Sequence, residues 1–275
     1  MTLPQEPFDS SQGAEPEAGS GPVEHIPPES PAPFPAWGVA DLLRVMVVLL
    51  LAIFFIDTAA VLIASMVAAE HGVELLEVAS DPRVVVPAQA VAYLLTVWFI
   101  ARMIRRHYRL RFFPAVRWRL PQHWLRFLIG GMVLAMVVQI LSSRLPIPRQ
   151  LPIEQYFRSP LAAWLMAGFG ILVAPFCEEL FFRGLLFPVL RQRLGMLLAV
   201  VLTSALFAVI HASQLGHAWA AVSVLFVVGV VLTLIRAMAD SLAASVLVHS
   251  GYNLALFALL YAGTAGFTNF KSLTQ

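Results

Sequence analysis

A chain of 275 residues that is 59% hydrophobic and only 12% charged is too apolar for a soluble globular domain. Its single cysteine excludes an internal disulfide framework and a cysteine-built metal site. The formal net charge of +2 is small but unevenly placed, and it bears on membrane topology, not on nucleic-acid binding.

Residues 1–36 hold nine of the 19 prolines together with Glu, Ser and Gly and few aliphatics. Such a segment cannot bury enough apolar surface to offset its ordering entropy, so a disordered cytoplasmic tail is expected. No basic stretch, short apolar core and small-residue cleavage site precede the first span, so no removable signal peptide is expected.

Seven apolar runs follow, at about 42–69, 84–104, 124–142, 160–176, 196–213, 218–237 and 242–261. Each is near or above the roughly 17–25 residues that cross a bilayer as a helix. Hydrocarbon offers no partner to backbone polar groups, and the runs lack the two-residue alternation of a barrel strand. The predicted fold class is therefore all-α, a polytopic transmembrane helical bundle of about seven spans.

Between Arg102 and Arg126 there are eight arginines and no acid, whereas the 70–83 connection carries Glu70, Glu74, Glu77 and Asp81 against Arg83. The positive-inside rule puts the arginine loop, Arg191, Arg193, Arg236 and the N-terminus in the cytoplasm and the acidic loop outside. A multi-pass protein of a bacterial plasma membrane is expected. Residues 37–159 form an N-terminal set of spans with the arginine-rich loop, 160–265 a second set that carries the chemistry, and 266–275 a C-terminal tail.

From residue 160 onward the acidic residues are Glu178, Glu179 and Asp240. Ionisable groups at membrane depth are costly and mark functional sites. On a helix, i and i+4 share a face while i and i+1 diverge. Glu179 and Arg183 are thus an ion-pair candidate, leaving Glu178 as the carboxylate available to take a proton. Phe207 and His211, and His249 and Asn253, repeat the four-residue spacing. With a turn at Arg191–Gly195, Glu178 and His211 come to similar depth, and His249 and Asn253 climb from the Asp240 turn toward the same pocket, which is expected to open toward the cytoplasm.

A carboxylate that takes a proton from water, an imidazole that orients the water, and an imidazole–amide pair that meets an oxyanion are the parts of amide hydrolysis. Glu178 is the expected base, His211 orients the water, and His249 and Asn253 stabilise the oxyanion. A zinc version would use Glu178, His211 and His249 as ligands. The sequence lacks an H-E-x-x-H pair, so the metal-free version, with no cofactor, is preferred. No serine elbow and no pair of intramembrane aspartates is present; Asp57 is expected to be a packing or pocket-rim group, His217 a solvated loop residue and Cys177 a packed hydrophobe. A non-proteolytic scaffold or immunity protein with a structural polar cluster is the alternative. A proton-coupled transporter fits less well, because 213–225 and 255–265 carry no charge-bearing residue beyond His217.

Glu178-Glu179-Leu-Phe-Phe-Arg183 is an E-E-x-x-x-R motif, Phe207 to His211 an F-x-x-x-H motif and His249 to Asn253 an H-x-x-x-N motif. In this order and on successive helices they resemble the CAAX-protease and bacteriocin-processing (CPBP, or ABI) intramembrane proteases, related to the type II CAAX prenyl endopeptidases, over roughly residues 160–261. The resemblance implies a glutamate-dependent intramembrane endopeptidase with Glu178 as base, assisted by Glu179, His211, His249 and Asn253, with Arg183 supporting. It implies a membrane protein or peptide as substrate and a conical cavity open to the cytoplasmic leaflet. Members of the family often have eight spans against the seven counted here, and in a bacterial host no prenylated substrate is expected.

Overall fold

The computed structural model describes residues 34–69, 72–148, 152–157 and 159–269. No strand occurs among them, and the helices form a polytopic transmembrane bundle, as composition predicts. In chain order these are α1 (Val39–Ala69), the short α2 (Leu75–Ala79), α3 (Pro82–Arg106), the single turn α4 (Phe112–Ala115) and α5 (Trp124–Ser142). After a 3-10 turn at Pro152–Phe157 come α6 (Pro160–Gly168), α7 (Ala174–Glu179), α8 (Phe187–Ile210), α9 (Trp219–Ala239) and α10 (Leu242–Gly263). Two π-helical stretches, Phe169–Val173 and Leu180–Leu186, join α6 to α7 and α7 to α8 without a loop.

Several helix starts are legible as side-chain chemistry. Asp81, Ser159 and Ser241 each accept a hydrogen bond from a backbone N–H of the first turn, at Arg83, Ala162 and Ala244, and prolines 82 and 160 occupy the first helical position, where no donor is needed. The tail expected over 1–36 lies outside the described residues as far as residue 33. From Phe34 on the chain is packed: Phe34 and Ala36 lie against the core, and the buried Trp37 indole donates to the Leu185 carbonyl at 3.1 Å. Phe267, within the 266–275 tail, is likewise buried, against the rings of Trp164 and Tyr261.

Among the described residues six helical units are long and apolar enough to cross a membrane, one of them the 51-residue stretch Pro160–Ile210. The fourth and fifth apolar runs of the sequence fall together on this unit, which is broken at Gly195 (φ 78°, ψ 177°), a conformation that glycine adopts without strain. On one straight helix Glu178 and His211 would lie about 50 Å apart; instead their side chains are 4.0 Å apart. Phe182 and Phe207 also meet, with ring centroids at 5.4 Å. The chain therefore doubles back at Gly195, as the arginine-flanked turn predicts.

α10 is held by close backbone approach to α5. A Cβ on Gly131 would fall 2.0 Å from the Val248 carbonyl oxygen, and one on Gly251 would fall 2.0 Å from that of Leu128. Two glycines on facing helices thus let the backbones touch, the device by which membrane helices pack without a hydrophobic driving force. Gly251 lies between His249 and Asn253, so this contact fixes where both side chains project.

Candidate active site

Glu178 and Glu179 close α7, between the two π-helical stretches. Each stretch ends two residues before a proline. The Ala174 N–H bonds Phe169 O and the Phe187 N–H bonds Phe182 O, both five residues back. Pro175 and Pro188 follow and have no N–H to continue the ladder. Gly170 O is thereby left without a backbone donor, and the Asn253 side-chain amide supplies one at 2.6 Å. The local sequence thus widens the helix at the site, as π-bulges commonly do, and ties α10 to it.

The two adjacent carboxylates have separate environments. Glu179 and Arg183 are both fully buried. Arg183 donates to Glu179 Oε1 at 2.6 Å, to Thr233 Oγ1 at 3.2 Å and to Gly229 O at 3.0 Å, and its guanidinium lies 4.5 Å over the Phe207 ring. His249 Nδ1 meets the same Oε1 at 3.0 Å. Glu178 turns instead to the cavity, where its Oε2 lies 4.0 Å from His211 Nε2 and 3.9 Å from His249 Nε2.

Hydrogen-bond partners fix the imidazole tautomers. His211 Nδ1 is 2.7 Å from the Phe207 carbonyl oxygen, which only accepts, so Nδ1 carries the proton. His249 Nδ1 faces a carboxylate and likewise donates. In the neutral rings both Nε2 atoms therefore present lone pairs toward Glu178, a set of acceptors spaced to surround one small donor such as water.

A cavity of about 460 Å³ adjoins this cluster and is lined by Glu178, His211, His249 and Asn253 among mostly apolar and aromatic side chains. The structure thus brings Glu178, His211 and His249 together and places Glu179 and Arg183 behind His249. Asn253 reaches the cavity with one amide hydrogen spent on Gly170. Asp57 and His217 are not part of the lining, and His217 is an exposed loop residue. Cys177 borders a separate space of about 50 Å³ with Glu178 and Tyr93.

Zinc fits this geometry poorly. Imidazole and carboxylate are suitable donors, but tetrahedral ligands on bonds of about 2.1 Å lie about 3.4 Å apart, closer than the 3.9 and 4.0 Å seen here. Among the described residues no group of three or more His, Cys, Asp or Glu is spaced to hold a metal ion.

The motifs alone do not assign the partners of the charged pair. Thr233 and Gly229, four residues apart on α9, receive Arg183, and Gly170 with Pro175 explains the Asn253 bond. The one available signal was their spacing, since both sets consist of neutral residues in apolar helices.

Comparison with known proteins gives one family. The family described as type II CAAX prenyl endopeptidase Rce1-like matches residues 160–255, a segment that contains the two glutamates, Arg183, both histidines and Asn253. No curated protein and no solved structure matches the chain. The matched family is one of membrane endopeptidases, which implies a hydrolase acting on membrane-associated substrates. Over residues 160–255 the chain is thus similar to the Rce1-like type II CAAX prenyl endopeptidase family.

Proposed function

We propose that the protein is a glutamate-type intramembrane endopeptidase that hydrolyses a peptide bond of a membrane-associated protein or peptide without a metal or other cofactor. The observation that carries this reading is the placement of Glu178 Oε2 within 4.0 Å of two imidazole nitrogens at the edge of a large apolar cavity. A water held among these three atoms donates one hydrogen to Glu178 and one to His211 Nε2, leaving its lone pairs free for the scissile carbonyl.

As the water oxygen bonds to the carbonyl carbon, its proton passes to Glu178, which later returns it to the leaving nitrogen as the C–N bond breaks. The oxyanion formed meanwhile needs donors. When His249 takes up a second proton, its Nε2–H can meet the oxyanion while Nδ1–H stays on Glu179, whose carboxylate supports the imidazolium. Asn253 offers its second amide hydrogen. Arg183 touches no reacting atom: it holds Glu179 in place and is a positioning residue.

Glu178→Gln preserves shape and removes the base, so hydrolysis of a membrane-anchored peptide by purified protein should fall about 10²–10⁴-fold. A scaffold or immunity protein that keeps this cluster for packing would retain its cellular phenotype in the same variant. Activity should persist in chelator; loss that added zinc restores would replace the metal-free mechanism.

A further inference from the structure

The two ends of the bundle differ in charge and in how much space lies beside them. At one end α1 begins, α3 ends, and the α9–α10 turn meets the arginine loop. Tyr108 donates to Asp41 at 2.5 Å, the Leu242 N–H bonds Arg117 O at 3.0 Å, and Arg117, Arg119 and Arg236 gather on Asp240. The opposite end joins the 3-10 turn to the α8–α9 connection through the Ile153 N–H to Gln214 O bond at 3.1 Å. It also brings the start of α6 to the end of α10, where Trp164 and Tyr261 pack at 5.8 Å.

The catalytic cluster lies between these ends, and the larger space beside it is one-sided, while a smaller one of about 50 Å³ borders Glu178, Thr96, Val97 and Ile100. Toward the arginine end, Ile100, Ile104, Leu180, Phe182, Leu185 and Leu242 are all buried in one packed core. Away from it, the cavity follows the first turns of α3 at Val85 and Gln89, then Tyr156, Met166, Gln214 and Leu260. Every helix that walls the cavity does so with the part running toward the second end. The arginines identify the first end as cytoplasmic. The cytoplasmic opening expected from the sequence would have to cross that packed core.

We propose that substrate reaches Glu178 from the extracytoplasmic face, and that it is an apolar segment of a membrane-anchored protein exposed in the outer half of the bilayer. The lining chemistry agrees. Among the described residues no Lys or Arg lines the cavity, so none of them is suited to capture a free C-terminal carboxylate, whereas aromatic and aliphatic walls suit an internal apolar stretch. A substrate prepared at its C-terminus in the cytoplasm would meet the closed end. The proposal rests on the protease reading for what enters the cavity, but not for where the cavity opens.

The test uses the full chain with Cys177→Ala and one added cysteine, expressed in bacterial cells and treated with a small membrane-impermeant thiol reagent. Met166→Cys and Gln214→Cys, at two places on the cavity wall, should both be labelled in intact spheroplasts, while the exposed Arg193→Cys at the arginine turn should be labelled only after permeabilisation. Labelling of Arg193→Cys from outside with both cavity positions protected would overturn the route. A single-span reporter with its apolar cleavable segment in the outer half should be cut, and one with the segment in the inner half left intact; the reverse also defeats the proposal. Because labelling requires no catalysis, equal processing by the Glu178→Gln variant would count against the protease reading alone.

Discussion

α1 and α10 are both apolar helices of membrane-crossing length, yet they do opposite work. In its most apolar window α1 is only 6% buried, against 56% for α10. α1 turns Leu50, Phe54 and Phe55 outward, as a helix bathed in lipid should. α10 turns His249 and Asn253 inward and sacrifices side-chain bulk at Gly251 to do so. Hydropathy alone cannot separate them; the difference lies in a few small and polar residues, and these report which helix the site is built on.

That contrast can be broken most severely at the charged pair behind α10. Arg183→Ala leaves Glu179 buried without its cation and should cost about 3–5 kcal/mol, read as a large loss of thermal stability in detergent. Gly251→Ala comes next. A methyl group 2.0 Å from the Leu128 carbonyl oxygen must drive α5 and α10 apart, an overpacking cost of roughly 1–3 kcal/mol, and activity should fall further than stability because His249 and Asn253 move with the helix.

The turn that starts α10 gives a smaller, pH-dependent effect. Partial burial works to raise the Asp240 pKa, but the Arg117 hydrogen bond and the charges of Arg117 and Arg236 prevail and hold it below the ordinary carboxylate value. A depressed folded-state pKa contributes stability above the unfolded value, near about 3.9, and that contribution is lost as pH falls through the folded value. With the Asp240 side chain 38% exposed, solvent screening limits it to under about 1 kcal/mol. Asp240→Asn should therefore flatten the acid limb of the stability profile and change little once the pH is below the folded value.

At the other extreme, Leu50→Ala on α1, a side chain 60% exposed, should shift detergent stability by no more than about 0.5 kcal/mol. A larger loss would mean that α1 is covered in the membrane by something other than lipid.

Much of this arrangement could be read before the fold was known. Helical spacing alone pairs Glu179 with Arg183, and the arginine-flanked Gly195 turn brings Glu178 level with His211. The convergence of α10 on the same point follows from counting outward from Asp240. The bond from Asn253 to Gly170 was hidden because it depends on an acceptor orphaned by a π-turn and a following proline, and whether a helix widens is decided by tertiary packing. Thr233 and Gly229 were hidden because neutral residues in an apolar helix carry no mark of the charge they will receive. The extent of the cavity along its helices was hidden as well, because distance from a turn gives depth but says nothing about which side of that depth is filled.

With Phe207 and Glu179 occupying the two Nδ1 atoms, neither imidazole can flip without giving up a bond, and each meets the cavity through one nitrogen. On the proposed mechanism a peptide cut at Glu178 ends in a new carboxylate lying beside an existing one, and among the described residues no lysine or arginine lines the cavity to detain it. Repulsion from Glu178 then opposes any hold by a protonated His249 on the fresh chain end, and works against religation.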